Sequence, residues 1–576
     1  MSNNCRIDVN KIDDSFPIKV DGVASFRDGQ REAIEFIVES FNSGKRFVVI
    51  EGPTGSGKSA IGMTMADLVG NSYYLTSTKI LQDQLVNDFA DVVELRGRNA
   101  YPCTLYDRLG QKMVKKGILK QQQLDNILIK KPDCDTGFCK SKIGGSGFKC
   151  GACFAKDGPN RAGILKELPD GFSYSTCPYY EQVYKAINSR KVLMNFSSFI
   201  YQTASTTRFA EARDLIIIDE CHNVESQLMD YVTLTINDSY LADFGIFIPK
   251  LETANDYAQF FQKCNLGTVL EQIISDANDE EKTKYANDMS RTLASYNRFI
   301  SDMSEDSSNW IVEYSEIPQT DSRRVVFKPI FVSSMTEDII FRYGIKILLM
   351  SATVLNVDMM ASSLGINKSE LAAYRMKNRF PVKNRPIYLD TVAKFTGGKD
   401  GMVEWGPKLV TKVNELANKY RGKRGIIHTH NFAIQELLKN KCANSVKSRF
   451  LHQQDFQTKQ DMLAAHSQST DTILVAPAMH EGIDLYGDLS RFQIICKVPY
   501  PNHFENKQLA RRIELDRKYL TYLVSLKTVQ SYGRSIRSAD DYADTYILDE
   551  SIYKFLSDAE RCQMIPQWFT EAIVDR

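Results

Sequence analysis

The chain has 576 residues, of which 43% are hydrophobic and 25% are charged, and its formal net charge is +1 at pH 7. This length suffices for three or four domains, each with a core of its own. The balanced charge neither requires nor excludes a nucleic-acid partner, because a strand held in an internal channel needs only local basic surface. No run of residues approaches the roughly 18 apolar residues that span a membrane, so we expect no membrane partner.

The N-terminal segment, residues 1–15, is polar and acidic and lacks the apolar core of a signal peptide. We therefore expect an intracellular, cytoplasmic protein, associated with the nucleoid in a cell or lying in the host cytoplasm if the chain is viral. Thiols stay reduced in such compartments, where a cluster of cysteines binds metal more often than it forms disulfides.

Short, continuous apolar runs predict the strands of parallel sheets, in which both faces of every strand are covered. The first part of the chain has four such runs, and the alternation of strand and helix resumes beyond about residue 385 as a second domain. We therefore predict an α/β protein with two parallel sheets. The predicted strands lie at residues 46–51, 73–76, 215–218 and 345–350 in the first domain, and at 425–428, 472–475 and 493–498 in the second.

Two segments depart from this pattern. Residues from about 100 to 180 are rich in Gly, Lys and Cys and show little periodicity, so they bury little apolar area and a metal is the expected organiser. Residues from about 230 to 340 are predicted to form a mostly helical, acid-leaning insertion. The cysteines of the first segment have three alternatives: a zinc site, an iron–sulfur cluster or unliganded thiols, because sulfur ligands suit both kinds of metal group. Six of the chain's twelve cysteines lie in the first segment: Cys103, Cys134, Cys139, Cys150, Cys153 and Cys177.

A glycine-rich octapeptide follows the first predicted strand, and residues 60–69 behind it have helical spacing. Strand, loop and helix in this order are the context of a phosphate-binding loop, whose backbone amides surround the phosphates of a nucleotide. Lys58 would reach the β- and γ-phosphates, and Ser59 would bind Mg²⁺. The predicted nucleotide contacts in this loop are Gly52, Pro53, Thr54, Gly55, Ser56, Gly57, Lys58 and Ser59.

Two acidic residues, Asp219 and Glu220, directly follow the third predicted strand. Asp219 would hold the same Mg²⁺, and Glu220 would orient and deprotonate the attacking water. The alternative for this pair is a solvated strand end. Hydrolysis also needs positive charge at the transition state, which Arg534 and Arg537 would deliver from one helix face, with Gln530 one turn earlier. A solvated helix face is the alternative for these three.

An aromatic ring, a cation and an amide lie just upstream of the first predicted strand, at Phe26, Arg27 and Gln30. A ring that stacks on the nucleobase and an amide that reads the adenine edge would give a preference for ATP. The alternative is an ordinary helix start. With the phosphate-binding loop downstream, these residues predict ATP and Mg²⁺ as the cofactors.

In chain order, these segments resemble the motifs of superfamily 2 helicases of the XPD/DinG type, and the resemblance covers nearly the whole chain. Cys221 replaces the alanine of the usual acid box, at a position without a charge role. The resemblance implies that His222 of the box belongs to the catalytic set and that Glu481, Gly482 and Asp484 contact the nucleotide. The matching segments are 26–30 (Q-motif), 52–59 (motif I), 74–79 with 81–85 (Ia), 219–222 (acid box), 351–353 (III), 425–430 (IV), 480–485 (V) and 530–537 (VI).

The resemblance implies two RecA-like motor domains, with an iron–sulfur domain and an arch-like helical insertion both carried by the first. The insertion is short for the arch, which suggests a reduced domain with weaker DNA contacts. The implied boundaries are 1–100, 181–230 and 341–384 for motor domain 1, 101–180 for the iron–sulfur domain, 231–340 for the insertion and 385–576 for motor domain 2.

A [4Fe–4S] cluster with four thiolate ligands is a further implication of the resemblance. Cys103 and Cys177 lie in contexts similar to the first and last ligands of the family. Cys150 and Cys153 have the spacing of metal ligands and resemble the middle pair of archaeal relatives. Cys134 and Cys139 compete with them for these two places.

The implied activity is ATP-driven translocation along single-stranded DNA, 5′ to 3′, by a monomeric motor that separates duplex strands. Single-stranded DNA and forked duplex DNA are the implied partners. One alternative is a DNA-stimulated ATPase that remodels or evicts bound proteins without unwinding, which the short insertion favours. A P-loop ATPase unrelated to nucleic acid is the other alternative.

Motors that follow a nucleic-acid backbone use hydroxyls and amides on loops of both domains. Thr76, Thr78 and Gln84 in the first domain and Thr429 in the second are the predicted DNA contacts. The resemblance adds Asn195, which matches an asparagine that the family uses before the acid box. A local turn or helix cap is the alternative for each of them.

Overall fold

The structure, a computed structural model, describes residues 6–89, 91–103, 114–115, 117, 120–122, 125, 133–135, 177–205, 207–275, 280–317, 322–396, 398–477, 485–536 and 540–574. None of the described helices is long and apolar enough to cross a membrane. The strands are β1 (Lys19–Val20), β2 (Val23–Ala24), β3 (Phe47–Glu51), β4 (Ser72–Thr76), β5 (Val93–Glu94), β6 (Lys191–Asn195), β7 (Arg213–Asp219), β8 (Leu234–Asn237), β9 (Trp310–Ile317), β10 (Ser322–Pro329), β11 (Gly344–Ser351), β12 (Leu371–Arg375), β13 (Ile387–Tyr388), β14 (Gly425–His428), β15 (Phe450–His452), β16 (Ile473–Ala476), β17 (Phe492–Ile495), β18 (Asp544–Ile547) and β19 (Ile573–Val574). The helices are α1 (Ile12–Ser15), α2 (Gln30–Asn42), α3 (Lys58–Val69), α4 (Lys79–Asp88), α5 (Pro178–Asn188), α6 (Phe196–Ser205), α7 (Val224–Val232), α8 (Ala254–Lys263), α9 (Leu266–Ser275), α10 (Glu280–Glu305), α11 (Thr336–Ile339), α12 (Val357–Ser363), α13 (Gly398–Lys419), α14 (Phe432–Lys441), α15 (Asn444–Lys447), α16 (Lys459–Gln468), α17 (Lys507–Leu515), α18 (Arg517–Tyr532), α19 (Ser551–Arg561) and α20 (Gln567–Thr570).

Seven parallel strands form the first sheet, in the order β12-β3-β11-β7-β4-β6-β5. Strand β11 lies between β3 and β7, with Ser351 opposite Glu51 and Met350 opposite Asp219. Because parallel strands run the same way, the loops that follow β3, β7 and β11 meet at one edge of the sheet. The predicted phosphate-binding loop and acid pair therefore lie side by side.

Both faces of this sheet are buried, which explains the continuous apolar runs in its strands. In β7, Leu215 and Ile217 belong to the core on one face, and Ile216 and Ile218 belong to the core on the other. Helices α2 and α3 contribute to the first core, and α5, α6 and α7 contribute to the second. All four strands predicted for this domain are present, and each begins and ends within two residues of its predicted bounds.

The second sheet also has seven parallel strands, in the order β15-β16-β14-β17-β18-β13-β19. Helices α13 and α14 contribute to the core on one face, and α18 and α19 contribute to the core on the other. The three predicted strands correspond to β14, β16 and β17, although β17 ends three residues before its predicted bound. The prediction of an α/β protein with two parallel sheets is confirmed.

The stretch between β8 and β11 contains a three-stranded antiparallel sheet, in the order β8-β10-β9, as well as helices α8, α9 and α10. The prediction of a mostly helical insertion was therefore incomplete. Strand β10 alternates buried residues with more exposed ones, so it lacks the continuous apolar run that marks a parallel-sheet strand. Its core is aromatic: the ring of Phe327 lies 4.6 Å from that of Phe299, and Tyr257 and Phe261 pack on it at 5.5 and 5.9 Å.

Candidate functional site

A cavity of about 450 Å³ lies at the edge where the loops of the first sheet meet, and both parallel-sheet domains line it. A volume of this size is typical of a small-molecule site. Most of the predicted nucleotide and catalytic residues in the described part of the chain border it: Arg27, Thr54, Gly55, Gly57, Lys58, Ser59, Asp219, Glu220, His222, Gln530 and Arg534. The predicted residues in the described part of the chain that do not line it are Phe26, Gln30, Gly52, Pro53 and Ser56.

The phosphate-binding loop connects β3 to α3, and glycines allow its shape. Gly55 and Gly57 have φ of +83° and +76°, a left-handed conformation that side chains disfavour. Gly57 also has no room for a side chain, because a Cβ there would lie 2.1 Å from Nε2 of Gln30. Lys58 opens α3, and its buried Nζ donates to the carbonyl oxygen of Gly52 at 3.0 Å. The loop amides and this ammonium therefore converge where phosphates would bind.

Gln30 supports this loop from behind and is fully buried. Its Oε1 accepts from the backbone N of Arg27 at 2.7 Å. Its Nε2 donates to the carbonyl oxygens of Ser56 and Gly57 at 3.0 and 3.2 Å. Because both ends of the amide contact the protein, Gln30 does not face a nucleobase, contrary to the expectation that it reads the adenine edge. It fixes the loop instead.

Phe26 and Arg27 precede α2 and differ in their surroundings. The ring of Phe26 packs on that of Phe16 at 4.1 Å, and the guanidinium of Arg31 lies 5.4 Å above it. Arg27 reaches the phosphate-binding loop, where its Nη1 donates to the carbonyl oxygen of Gly55 at 2.6 Å. Arg27 therefore borders the cavity, whereas Phe26 packs within the domain.

The acid pair lies at the turn that follows β7. The buried carboxylate of Asp219 accepts from the backbone N of Glu220 at 3.0 Å and from Oη of Tyr74 at 3.3 Å. Glu220 has φ of +54°, a conformation that costs a non-glycine residue about 1–3 kcal/mol and occurs mainly at functional sites. Nδ1 of His222 lies 2.7 Å from Oγ of Ser351 and 3.3 Å from the carboxylate of Glu220. The turn thus brings both acids and the histidine to the cavity.

Burial and the neighbouring carboxylate of Glu220 raise the pKa of Asp219 to about 6, although the ammonium of Lys58 acts in the opposite direction. An ionised Asp219 is therefore costly in the protein alone. A divalent cation would lower this cost, and Asp219 and Ser59 carry the oxygen ligands that Mg²⁺ prefers. These residues fit the magnesium site that the sequence predicts.

Two side chains of the second domain reach the cavity. Gln530 lies near the end of α18, and its Nε2 donates to Oγ1 of Thr353 at 3.2 Å. Arg534 follows the helix, and its Nε donates to the carbonyl oxygen of Gln530 at 3.2 Å. The predicted residues that lie outside the described part of the chain are Glu481, Gly482, Asp484 and Arg537.

Ser351 and Thr353 join the acid turn to the second domain. Oγ of Ser351 accepts from the backbone N of Thr353 at 3.0 Å and also contacts His222, while Thr353 accepts from Gln530. Sequence reasoning recognised residues 351–353 as a motif but assigned no role to them. The partners lie 129 and 177 residues away along the chain, so no local pattern could have identified these contacts.

Two of the predicted DNA contacts are wrong for this conformation. Thr76 and Thr429 are both fully buried, so neither side chain can touch a strand. Thr76 is the last residue of β4, and its Oγ1 donates to the carbonyl oxygen of Thr78 at 3.3 Å. Thr429 directly follows β14. Hydroxyls at the ends of buried strands point inward here.

Two other predicted DNA contacts, Thr78 and Asn195, cap helices, as in the alternative interpretation of these side chains as local caps. Oγ1 of Thr78 accepts from the backbone N–H three residues on and caps α4. Oδ1 of Asn195 accepts from the backbone N of Ser198 at 2.8 Å at the start of α6. Gln84 is the exposed member of the predicted set, and it lines the nucleotide cavity.

Three cysteines lie together beside the first sheet. Cys134 and Cys177 are buried in its core, and Cys103 packs against that core close enough to Cys134 to act on its thiol. A hydrogen bond to Cys177, burial and the nearby Cys103 raise the pKa of the Cys134 thiol. Cys134 is therefore the middle cysteine that the structure brings to the two outer ones, whereas the other candidates, Cys139, Cys150 and Cys153, lie outside the described residues. Within the described ranges no three His, Cys, Asp or Glu side chains are arranged to hold a metal ion, so these three thiols do not by themselves form a metal site in this structure.

Two family models match parts of the chain. The model of the helicase C-terminal domain matches residues 415–572, and that of the res subunit of type III restriction enzymes matches residues 24–139. Among curated relatives, the ATP-dependent DNA helicase CHL1 of Candida glabrata is 31% identical over 133 residues, which cover 20% of this chain and 16% of that protein. CHL1 of Saccharomyces cerevisiae is 28% identical over 130 residues, which cover 18% and 15%. The chain thus matches less than a fifth of the length of these relatives.

Solved structures extend the likeness over nearly the whole chain. A structure of an XPD helicase has a TM-score of 0.59 and 16% identity, covering 93% of this chain and 98% of that one. Xpd4 of S. tokodaii has a TM-score of 0.52 and 13% identity, covering 95% and 99%. At these identities the likeness establishes the fold.

Replacing Asp219 with Asn, in the absence of nucleotide and metal, should raise the free energy of unfolding by on the order of 1–3 kcal/mol at about pH 8. The folded-state pKa of about 6 lies above the ordinary value of 3.8, so the ionised carboxylate destabilises the folded state at high pH. The gain in the free energy of unfolding should therefore be complete above the folded-state pKa of about 6, and it should shrink as the pH falls towards 3.8, the ordinary pKa of an aspartate. Urea unfolding of both proteins across this range measures it, and a gain independent of pH would contradict the assignment.

Replacing Gly57 with Ala should weaken the binding of a fluorescent ATP analogue by at least about tenfold. The new Cβ would collide with the amide of Gln30 and displace the phosphate-binding loop. Gly22→Ala is the matched control, because Gly22 has a similar φ of +79° but no atom within 4 Å of the new Cβ. Equal affinities in the two variants would show that Gln30 does not support the loop.

Proposed function

We propose that this chain, which resembles the superfamily 2 helicases of the XPD/DinG type, is an ATP-dependent DNA helicase. The two family models, the matched relatives and the two-sheet fold all support the resemblance to these helicases that the sequence motifs indicate. The observation that carries the proposal is a cavity that residues of both domains line.

A nucleotide in this cavity would contact both domains at once. Lys58 and Asp219 border it from the first domain, and Gln530 and Arg534 border it from the second. A γ-phosphate bound by both sets favours the closed arrangement, and its loss after hydrolysis removes that preference. Alternate closing and opening moves one domain relative to the other, which is the motion that advances a motor along a strand.

In the proposed hydrolysis, the amides of the phosphate-binding loop and Lys58 hold the β- and γ-phosphates. Ser59 and Asp219 supply oxygen ligands to Mg²⁺, which when bound neutralises charge on the phosphate oxygens. Glu220 orients the attacking water and accepts its proton. Arg534 delivers positive charge to the γ-phosphate in the transition state, from the position in which Gln530 holds it.

The direction and substrate belong to the same proposal. We propose movement 5′ to 3′ on single-stranded DNA, with forked duplexes as substrates and a monomeric motor, because the XPD/DinG resemblance implies them. Gln84, exposed on α4 at the cavity, is the residue of the predicted set that remains accessible to a strand.

We further propose a [4Fe–4S] cluster beside the first sheet. Cys103, Cys134 and Cys177 would supply three of its thiolates, and the fourth would come from Cys139, Cys150 or Cys153. Three neighbouring thiols, two of them buried, suit such a group, because a bound cation stabilises the thiolates that burial and mutual repulsion disfavour. When bound, the cluster would link the cysteine-rich stretch to the motor domain and fix its fold.

The proposed activity is tested on two matched duplexes, one with a 5′ single-stranded tail and one with a 3′ tail. We expect ATP-dependent strand separation of the 5′-tailed duplex alone. Glu220→Gln should lower the rate at least about 100-fold, because the attacking water loses its base. Separation of the 3′-tailed duplex alone would refute the direction. DNA-stimulated hydrolysis without separation of either duplex would favour a remodelling ATPase.

Replacing Cys134 with Ser should remove iron and sulfide from protein purified without oxygen, because one of the proposed ligands is lost. Cys562→Ser should retain both, since that cysteine follows α19 in the second domain. Iron content and visible absorbance measure the difference. Full iron content in Cys134→Ser would show that Cys134 is not a ligand, and it would favour Cys150 and Cys153 as the two middle ligands of the cluster.

A further inference from the structure

Glu51 is a buried carboxylate that the proposed hydrolysis does not use. It ends β3 immediately before the phosphate-binding loop and is 4% exposed. Its Oε1 accepts from the backbone N of Val354 at 3.1 Å and of Leu355 at 2.9 Å. Its Oε2 accepts from Nε of Arg375, the last residue of β12, at 2.5 Å. A buried carboxylate requires such partners in place of water, and these partners join β3, the turn after β11 and β12.

Leu355 is held in an unusual backbone conformation by this pair. Its φ is +62°, in the left-handed region that residues with a side chain rarely adopt. Glu51 accepts from its N–H, and Nη2 of Arg375 donates to its carbonyl oxygen at 2.8 Å. Both polar groups of the residue are thus clamped, which is how a structure maintains a disfavoured conformation.

The clamped turn contacts α18 of the second domain at two points. The buried side chain of Leu355 belongs to the same apolar core as Tyr522 and Val529 of that helix. Two residues earlier, Thr353 accepts the hydrogen bond from Gln530. Arg534 follows the helix end into the cavity, so the position of α18 determines where its guanidinium lies.

We infer that Glu51 and Arg375 are positioning residues for Arg534. Glu51 and Arg375 fix the conformation of residues 353–355. These residues in turn contact α18, and the guanidinium of Arg534 lies just beyond the end of that helix. Neither Glu51 nor Arg375 lines the cavity, so they act through the turn and not on the nucleotide. The effect on the rate of ATP hydrolysis rests on the proposed function, whereas the effect on the stability of residues 353–355 and of α18 does not.

The test uses Arg375→Gln and Glu51→Gln in the full chain. The side chain of Arg375 is 53% exposed, and Gln keeps an N–H donor for the carboxylate of Glu51, so we expect this variant to fold even if the buried Glu51 variant does not. In both variants, kcat for ATP hydrolysis should fall at least about tenfold while KM for ATP stays within about twofold, because transition-state charge is lost and nucleotide binding is not. In a Gln530→Ala background, Arg375→Gln should cause no further loss, since both changes act on the same helix.

A second measurement does not depend on activity. Amide hydrogen exchange in residues 353–355 and 517–532 should be faster in both variants than in the wild type. Glu337→Gln is the matched control, because it breaks a pair at the opposite end of β3, where Glu337 lies 2.8 Å from Arg46. It should change neither exchange nor kcat.

Unchanged exchange in the two segments, an unchanged kcat in an active protein, or additive losses with Gln530→Ala would each overturn the inference. A wild-type protein without ATP hydrolysis would refute the proposed function instead, and the exchange measurement would still decide whether the clamp holds α18.

Discussion

The position of β11 between β3 and β7 is the constraint on which the site depends. Its register aligns Ser351 with Glu51 and Met350 with Asp219, so three loops leave the sheet side by side. The phosphate-binding loop, the acid turn and residues 351–353 become neighbours by this pairing alone, although about 290 residues of chain separate the first from the last. Since β3, β7 and β11 are largely buried on both faces, a slip of one residue would exchange the two faces of the core, and the apolar interior therefore maintains the register.

Unfavourable local features accumulate at this edge of the sheet. Asp219 and Glu220 bring two carboxylates together in a largely buried turn, and the left-handed φ of Glu220 and of Leu355 adds backbone strain. Backbone strain and close carboxylates therefore occur together at the place where a nucleotide and a divalent cation would interact with them. A bound cation would relieve the repulsion between the acids, which couples the stability of the turn to occupation of the cavity.

Seven of the fourteen strands in the two parallel sheets were predicted, because burial on two faces leaves continuous apolar runs in the sequence. Strands β9 and β10 were not, because each has one exposed face and carries many polar residues. The loop residues of the site followed from their motif, but the direction of a side chain did not: Thr76 and Thr429 resemble exposed loop hydroxyls and are buried. Gln30 contacts carbonyl oxygens 26 and 27 residues away, a partnership that depends on how α2 packs beneath the loop.

The contact between the two domains is apolar on one side of α18 and polar on the other. Leu355 and Met359 of the first domain belong to the core of the second, whereas Gln530 and Arg534 face the cavity. Separating apolar surfaces costs free energy in proportion to their area, while polar groups in a cleft exchange protein hydrogen bonds for water at little cost. In the proposed ATP-driven cycle, opening and closing would therefore pivot on the apolar side. Arg512 reinforces that side, because its buried guanidinium lies 4.0 Å from the ring of Phe331 in the first domain and 4.5 Å from that of Tyr519. A pivot of packed side chains would keep the approach of Arg534 to the phosphates the same in every proposed cycle, which a flexible linker alone could not do.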